Sequence, residues 1–498
     1  MEGVYFTNMR AISPEDIVQR VRIENPWWDG DHTISPFHQS MKPRAYFDLF
    51  LPLVKAQSVR RAVVLMGPRR VGKTVMIHHA IKALLDEGVP PKSICYLSVD
   101  HPIYNGLSLE NLLNFYQQSS GVDYKSQRVY MFFDEIQYLR KWEVHLKSVV
   151  DTYPTIKCIA SGSAAAALRL KSAESGAGRF TDFLLPPLTF YEYLRLLDKT
   201  SLLEDPPRKV DQTLRNGFFL AKNIEQLNEE FLSYLNFGGY PEVIFSPQIQ
   251  ADPARFIKSD IIDKVLLTDL PSLYGIGDIQ ELNHLFTTLA FNTANEISLG
   301  ELSQNSGVAK NTIKRYIEYL EAAFLIKAVH RVDHNAKRFR RANFFKVYLT
   351  NPSMRAALFS PLKADDSATP SLAETSIFSQ WFHSDTTLYY ARWHDGEVDM
   401  LYLSPQQKVA WAVEVKWSDR YCDNPDELKS LLSFCQANGL KRVFVTSKTK
   451  TLTCNVGNIQ IEFLPASTYC YTVGYNVIHG KKALPTAEQP EKDAPTHQ

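Results

Sequence analysis

The chain has 498 residues, too many for one hydrophobic core, so modules of about 100–200 residues are expected. Its 55 basic and 54 acidic side chains leave a net charge of +1, which excludes a global pull toward nucleic acid or membranes and makes any such surface local. The longest apolar runs, such as AVVLM at 62–66, fall far short of the roughly 20 residues of a membrane span. No basic segment leads into an apolar stretch in MEGVYFTNMR, so no signal peptide and a cytoplasmic location are expected. Cys95, Cys158, Cys422, Cys435, Cys454 and Cys470 form no CxxC pair and no metal-ligand spacing with His, which reads as reduced, packed thiols.

In chain order, residues 1–40 read as an irregular N-terminal extension, with Trp27 and Trp28 of NPWWDGD as packing anchors. Across 41–200, strand-length apolar runs at 61–66, 93–99, 128–133, 156–160 and 182–185 alternate with helical patterns, which predicts an α/β unit with a parallel sheet. Residues 201–290 turn helical, as a lid and connector, and 291–360 have the rhythm of a winged-helix-like module. The small, polar, Pro-containing stretch 361–373 reads as a linker. A second α/β pattern covers 374–479, and the tail 480–498 lacks anything to bury and is expected to be disordered. The expected fold class is therefore multidomain α/β.

The strand at 61–66 runs into GPRRVGKT at 67–74 and then a helix, the setting that gives G-x-x-x-x-G-K-[ST] its meaning. Gly67, Pro68, Arg69, Arg70, Val71 and Gly72 form a loop whose N–H groups face phosphate. Lys73 supplies a cation to the β- and γ-phosphates of ATP, and Thr74 a hydroxyl to Mg²⁺. RVYMFFDEIQYL at 128–139 ends a strand in Asp134, a Mg²⁺ ligand, with Glu135 beside it to orient or deprotonate water. Ser161, in SGS at the next strand end, is a candidate γ-phosphate sensor, and Arg179, on a glycine-flanked loop, a candidate arginine finger in its own or a neighbouring subunit. A simple turn and a surface-loop arginine are the rival readings of those two.

Together with Trp142, GRF before LLPPLTFYEYL, and FGGYPEVI at 237–244, these motifs resemble the AAA+ superfamily. More narrowly they resemble bacterial and archaeal ATPases that carry a C-terminal domain of uncertain function. The resemblance covers roughly 40–475 and implies a P-loop sheet, a helical lid holding FGGYPEVI, and assembly into homo-oligomers.

Within 296–332, Leu299 and Leu302 mark one helix, NSG at 305–307 a turn, and Val308, Ile313, Ile317 and Leu320 the buried side of a second. Its exposed side carries Lys310, Asn311, Thr312, Lys314 and Arg315, types that contact phosphates and base edges. AKRFRRANFFK at 336–346 interleaves Lys337, Arg338, Arg340, Arg341 and Lys346 with Phe339, Phe344 and Phe345, as a nucleic-acid-binding wing would. Protein contact is the alternative use of such a module.

In EVDMLYLSPQQKVAWAVEVKW at 397–417, strand alternation puts Val409, Trp411, Val413, Val415 and Trp417 on one face and Ala410, Ala412, Glu414 and Lys416 on the other. A buried strand holds Glu and Lys only when they are paired or bind something. With Asp399 on the neighbouring strand, this D…E-x-K arrangement resembles the PD-(D/E)XK nuclease superfamily. That resemblance implies Mg²⁺ on Asp399 and Glu414, a water-positioning Lys416, a further acid at Glu374, and αβββαβ order.

Three functions fit these residues. One is an ATPase coupled to nucleic-acid cleavage, for which defence against phage or mobile DNA is a natural setting. The second is an ATP-dependent switch or remodelling factor with an inactive nuclease-like domain. The third is a nucleotide-regulated DNA-binding protein.

Overall fold

A computed structural model of the protein describes residues 13–30, 32–162, 178–206, 217–339, 343–363, 365–384 and 386–480. Arg340, Arg341 and the expected tail beyond Gly480 lie outside the described residues.

The five expected strands form: β1 (Ala62–Met66), β2 (Ile94–Ser98), β3 (Val129–Asp134), β4 (Ile156–Gly162) and β5 (Phe180–Leu184). They pair in parallel in the order β2-β3-β4-β1-β5, so β4 lies between the strand that feeds the glycine loop and the strand that ends in Asp134. Every residue of β1, β3 and β4 is buried, because helices cover both faces of a parallel sheet. Helix α1 (Pro14–Glu24) starts at a Ser13–Asp16 capping box and leads to Trp27 and Trp28, both buried. Their indole N–H groups donate to the Ile94 carbonyl at 3.1 and 2.7 Å, while Asn25 bonds both backbone groups of Tyr96. The N-terminal segment thereby closes the outer edge of β2.

Helices α2 (Phe47–Lys55), α3 (Lys73–Asp86), α4 (Leu109–Ser120), α5 (Trp142–Thr152) and α6 (Phe190–Leu196) complete this unit. A short ribbon, β6 (Leu203–Glu204) with β7 (Leu220–Ala221), precedes α7 (Ile224–Phe237). Two π-helical segments follow, Ala254–Asp263 and Val265–Asp269. After α8 (Ile279–Phe291) come β8 (Glu296–Ser298), α9 (Leu299–Ser306), α10 (Lys310–Ala322) and the hairpin β9 (Ile326–Val332) and β10 (Phe344–Leu349).

This region does not stand apart from the C-terminal one. Strand β9 pairs in parallel with β11 (Leu388–Trp393), and the sheet continues through β12 (Gly396–Leu403), β13 (Val409–Glu414), β14 (Arg442–Ser447), β16 (Ile459–Pro465) and β15 (Leu452–Val456). Its nine strands run in the order β15-β16-β14-β13-β12-β11-β9-β10-β8. Residues expected as separate units, 291–360 and 374–479, therefore share one sheet.

The linker expected at 361–373 is also corrected: α11 (Ser353–Leu358) precedes it, and α12 (Thr369–Trp381) begins inside it. The polar residues Thr375, Ser376, Ser379 and Gln380 of α12 are buried and hydrogen-bonded, with the Gln380 amide oxygen accepting from Phe190 N–H at 2.9 Å. Residues 369–373, expected as the end of the linker, are the first turn of this packed helix, with Thr369, Leu372 and Ala373 buried. Helix α13 (Lys429–Asn438) covers the C-terminal sheet, and α14 (Ala466–His479) packs on α12 and α6. One apolar core consequently runs from Val63 and Phe190 to Phe378 and Tyr471.

Candidate functional site

β1 ends at Met66 and α3 starts at Lys73, so GPRRVG makes the whole turn between them. Arg70 and Gly72 take left-handed backbone angles, φ 64° and 94°. At Gly67 an added Cβ would lie 2.1 Å from the Leu185 carbonyl oxygen, so no side chain fits. The buried Lys73 ammonium donates to the carbonyls of Gly67 and Pro68 at 3.1 and 2.8 Å. Burial lowers its pKa, against the pull of Glu135 and Asp134.

Asp134, 2% exposed, gathers three hydroxyls: Thr74 Oγ1 donates at 2.7 Å, Tyr96 OH at 2.9 Å, and Ser161 Oγ to the other carboxylate oxygen. Burial and then Glu135 raise its pKa, and the three hydroxyls oppose them. Glu135 sits at φ 55°, and its N–H donates to Ser161 Oγ at 3.2 Å. A threonine hydroxyl meeting a carboxylate below the N-terminus of α3 is the hard-oxygen set suited to Mg²⁺ on a nucleotide, so Thr74 and Asp134 fit that ion. Ser161, expected as a sensor, donates within this network to the Asp134 carboxylate and accepts from the Glu135 backbone N–H.

Arg69 and Arg70 are expected to meet the phosphates through their backbone N–H groups, and their side chains are engaged elsewhere. Arg69 makes a two-pronged pair with Asp269 at 2.8 and 2.9 Å, and Arg70 bonds Glu242 and Asp260, each at 2.9 Å. Carboxylates on the π-helical segments and in YPEV at 240–243 thus tie the loop to the helical region. Arg179, expected to act in its own or a neighbouring subunit, lies far from its own site. Its carbonyl accepts from Ala62 N–H, it precedes β5, and its guanidinium pairs with Asp151. It therefore lies at the N-terminal end of the strands, the length of β1 (roughly 16 Å) from the glycine loop, beyond reach of its own phosphate site.

Sequence reasoning missed Tyr96, which carries no motif, and Arg44, which donates to Val71 O at 3.1 Å and Pro186 O at 2.7 Å and pairs with Glu192. A signal for that pair existed: Thr189 and Glu192 in TFYE form the capping box that starts α6.

In the C-terminal sheet, Asp399 on β12, Glu414 at the end of β13 and Lys416 meet as expected. Lys416 Nζ lies 2.7 Å from Glu414 and 3.7 Å from Asp399; Asp399 Oδ2 accepts from Val415 N–H at 2.9 Å. Glu374, on α12, joins them through a residue placed elsewhere by sequence reasoning. Lys346 is not part of an exposed basic wing. It is 3% exposed, and its Nζ lies 2.5 Å from Glu397, 3.0 Å from Glu374 and 3.5 Å from Asp399. Tyr348, one strand repeat along, donates to Glu374 at 2.7 Å.

Burial opposes the charge of Asp399, yet the ammonium groups of Lys346 and then Lys416, with Val415 N–H, hold its pKa below the ordinary value. Burial and then Asp399 push Glu414 up to about 8, and burial pushes Glu374 up to about 7 despite Lys346. These residues do not fit a resident Mg²⁺ as they stand. Two ammonium groups already pair with the carboxylates, and among the described residues no group of three or more His, Cys, Asp or Glu is arranged to hold a metal. The signal for Lys346 was a lysine inside the apolar run FFKVYL, the same clue that exposed Glu414 and Lys416.

The remaining cations lie outside the core. On α10, Ile313, Ile317 and Leu320 are buried while Lys310, Lys314 and Arg315 are exposed; Lys337 and Arg338 are exposed between β9 and β10. Arg331 lies over the rings of Phe339 and Phe344 at 4.9 and 5.6 Å, and Arg338 over Tyr389 at 4.7 Å. No helix among the described residues is long and apolar enough to cross a membrane.

Comparison with known proteins sets these geometries in context. Residues 59–194 match an AAA domain family, and residues 228–367 match a family described only as a domain of unknown function. The chain is similar to an uncharacterized protein of Methanocaldococcus jannaschii, 25% identical over 298 residues, which cover 58% of this chain and 60% of that one. An uncharacterized protein of Haemophilus influenzae is 23% identical over 59% of this chain and 68% of its own length. The chain thus spans about 60% of the first of these relatives. Among solved structures, the ORC2 protein of Aeropyrum pernix in ADPNP–ADP complexes matches 66% of this chain and 94% of its own, at 13% identity and a TM-score of 0.36. The Walker-type ATPase of Pyrococcus abyssi matches 67% and 99%, at 14% identity and a TM-score of 0.36. With the glycine loop, Lys73, Thr74 and Asp134 in place, residues 59–194 are an AAA-type ATPase domain.

Proposed function

We propose that this chain binds ATP with Mg²⁺ and hydrolyses it, and that it uses the nucleotide cycle to act on nucleic acid. The observation that carries the first part is the 2.7 Å bond between Thr74 and Asp134 beneath the Lys73 loop. Lys73 and the loop N–H groups hold the phosphates, and Thr74 and Asp134 would hold Mg²⁺, which supplies positive charge to the phosphate oxygens when bound. Glu135, whose N–H is held on Ser161, would orient a water and accept its proton at the carboxylate. Arg179 is out of reach of its own site, so as an arginine finger it serves a neighbouring copy, and a homo-oligomer is part of the proposal. Phosphate release from ATP by the purified chain tests it: Lys73→Ala and Asp134→Asn each drop the rate to background, and an unchanged rate in either sinks the reading.

The nucleic-acid part rests on the exposed Lys310, Lys314 and Arg315 of a helix-turn-helix with a basic hairpin, a winged-helix-like arrangement. A second reading, phosphodiester cleavage, is favoured by Asp399 within β12 meeting Glu414 at the end of the adjacent β13, and Lys416 just beyond it, in the PD-(D/E)XK order. Incubation of supercoiled, linear and single-stranded DNA and of RNA with the chain, Mg²⁺ or Mn²⁺, with and without ATP, decides between cleavage and a switch that only binds. Asp399→Ala separates a true product from a contaminating nuclease.

A further inference from the structure

We propose that Lys346 is the built-in counter-cation of the C-terminal acid cluster, and that its ammonium keeps a divalent metal out of that cluster. The inference rests on the second reading above only in taking Asp399 and Glu414 as a nuclease-like centre; it concerns what occupies that centre.

The geometry is that of a cation among carboxylates. Lys346 Nζ sits within 2.5 Å of Glu397, 3.0 Å of Glu374 and 3.5 Å of Asp399, side-chain oxygens from α12 and β12. On its far side the ring of Tyr390 lies 5.5 Å away. Lys416 neutralises the other half of the cluster, through Glu414 at 2.7 Å and Asp399 at 3.7 Å. Four carboxylates therefore face two ammonium groups, and Glu397 is further shared with Arg392 at 3.0 Å.

The two lysines differ in freedom. The Lys416 side chain is 27% exposed and can swing into solvent, whereas that of Lys346 is 3% exposed. Lys346 is anchored mid-strand, on β10, opposite Val329 of β9 and Glu296 of β8. A metal bridging Glu374 and Asp399 would place two positive charges where an ammonium already stands, and would strip that buried ammonium of its partners. An unpaired buried charge is among the costliest arrangements a protein can adopt. The same hairpin carries the exposed Lys337 and Arg338, so one element presents cations to solvent and inserts one into the cluster.

The test is Mn²⁺ binding to the full-length chain without nucleotide, followed by electron paramagnetic resonance and titration calorimetry. In the wild type, Asp399→Asn leaves Mn²⁺ binding unchanged, because no site there depends on Asp399. Lys346→Met gains one Mn²⁺ site that the wild type lacks, and Lys346→Met with Asp399→Asn loses it again. Lys346→Arg, which keeps the charge, gains nothing. Wild-type Mn²⁺ binding that falls on Asp399→Asn overturns the proposal, and it does so even where Lys346→Met fails to fold. A folded Lys346→Met chain that gains no site overturns it too. DNA cleavage by the same samples is read separately: a Lys346→Met chain that takes up Mn²⁺ but cuts nothing refutes the nuclease reading and leaves the role of Lys346 standing.

Discussion

Glu192→Gln is the substitution whose cost follows most directly from the structure. Glu192 is fully buried at the start of α6, and its two carboxylate oxygens accept four N–H bonds. Arg44 Nε and Nη2 donate at 3.0 and 2.5 Å, Ala45 N–H at 3.1 Å and Thr189 N–H at 3.4 Å. Glutamine keeps one acceptor, loses the charge, and turns an NH₂ group toward donors, so the 6%-exposed Arg44 is left as a buried cation without an anion. Removing one partner of such a pair costs about 3–5 kcal/mol. At about 2–4 °C per kcal/mol, that lowers the melting midpoint of the nucleotide domain by roughly 6–20 °C. Arg44 also grips Val71 O, so ATP affinity falls with it. The assay is thermal and urea unfolding of the wild type, Glu192→Gln, Arg44→Met and the double variant. In the double variant no buried cation remains, and the single oxygen of the introduced, uncharged amide still accepts from one of the Ala45 and Thr189 N–H groups, so it unfolds later than Glu192→Gln alone by at least about 1 kcal/mol. A single substitution that costs less than about 1 kcal/mol, or a double that equals the sum of the singles, refutes the account.

Three other outcomes are expected. Gly67→Ala pushes a Cβ into the Leu185 carbonyl, 2.1 Å away, and lowers ATP affinity at least tenfold, while Gly277→Ala, with nothing within 4 Å, does not; fluorescent-nucleotide titration measures both. Burial and the neighbouring His38 drive the pKa of His78 down to about 3, with its ring stacked on His38 at 3.8 Å. The unfolded chain takes up that proton near 6.5 and the folded chain does not until about 3, so stability is complete above pH 6.5 and falls as pH drops toward 3, by up to about 1.4 kcal/mol per unit. His78→Phe removes that share of the acid sensitivity in urea melts, and a wild-type acid slope that survives in the variant counts against it. Finally, replacing Lys310, Lys314 and Arg315 by Ala weakens DNA binding across sequences and reduces the log–log salt slope by up to about 0.9 for each phosphate deprived of its cation; an unchanged slope removes α10 from the nucleic-acid surface.

The nucleotide site was legible because its chemistry is local. Six loop residues between a strand and a helix, and a carboxylate at a strand end, state their roles through spacing alone, and Lys73, Thr74 and Asp134 stand where that spacing puts them. Strand alternation likewise paired Glu414 with Lys416 and Asp399, since a period of two is a property of the extended chain. Three matters were decided only by the tertiary fold. Which carboxylates Arg69, Arg70 and Lys346 meet depends on segments up to 200 residues away in sequence, and a cation in a basic run looks the same whether it faces solvent or three acids. Arg179 is a finger-like arginine by sequence, but its place at the foot of β5 follows from sheet register. The stretch expected as a linker, 361–373, ends inside the helix Thr369–Trp381, where the polar atoms of Thr375, Ser376, Ser379 and Gln380 find hydrogen-bond partners inside the core, something no local pattern records.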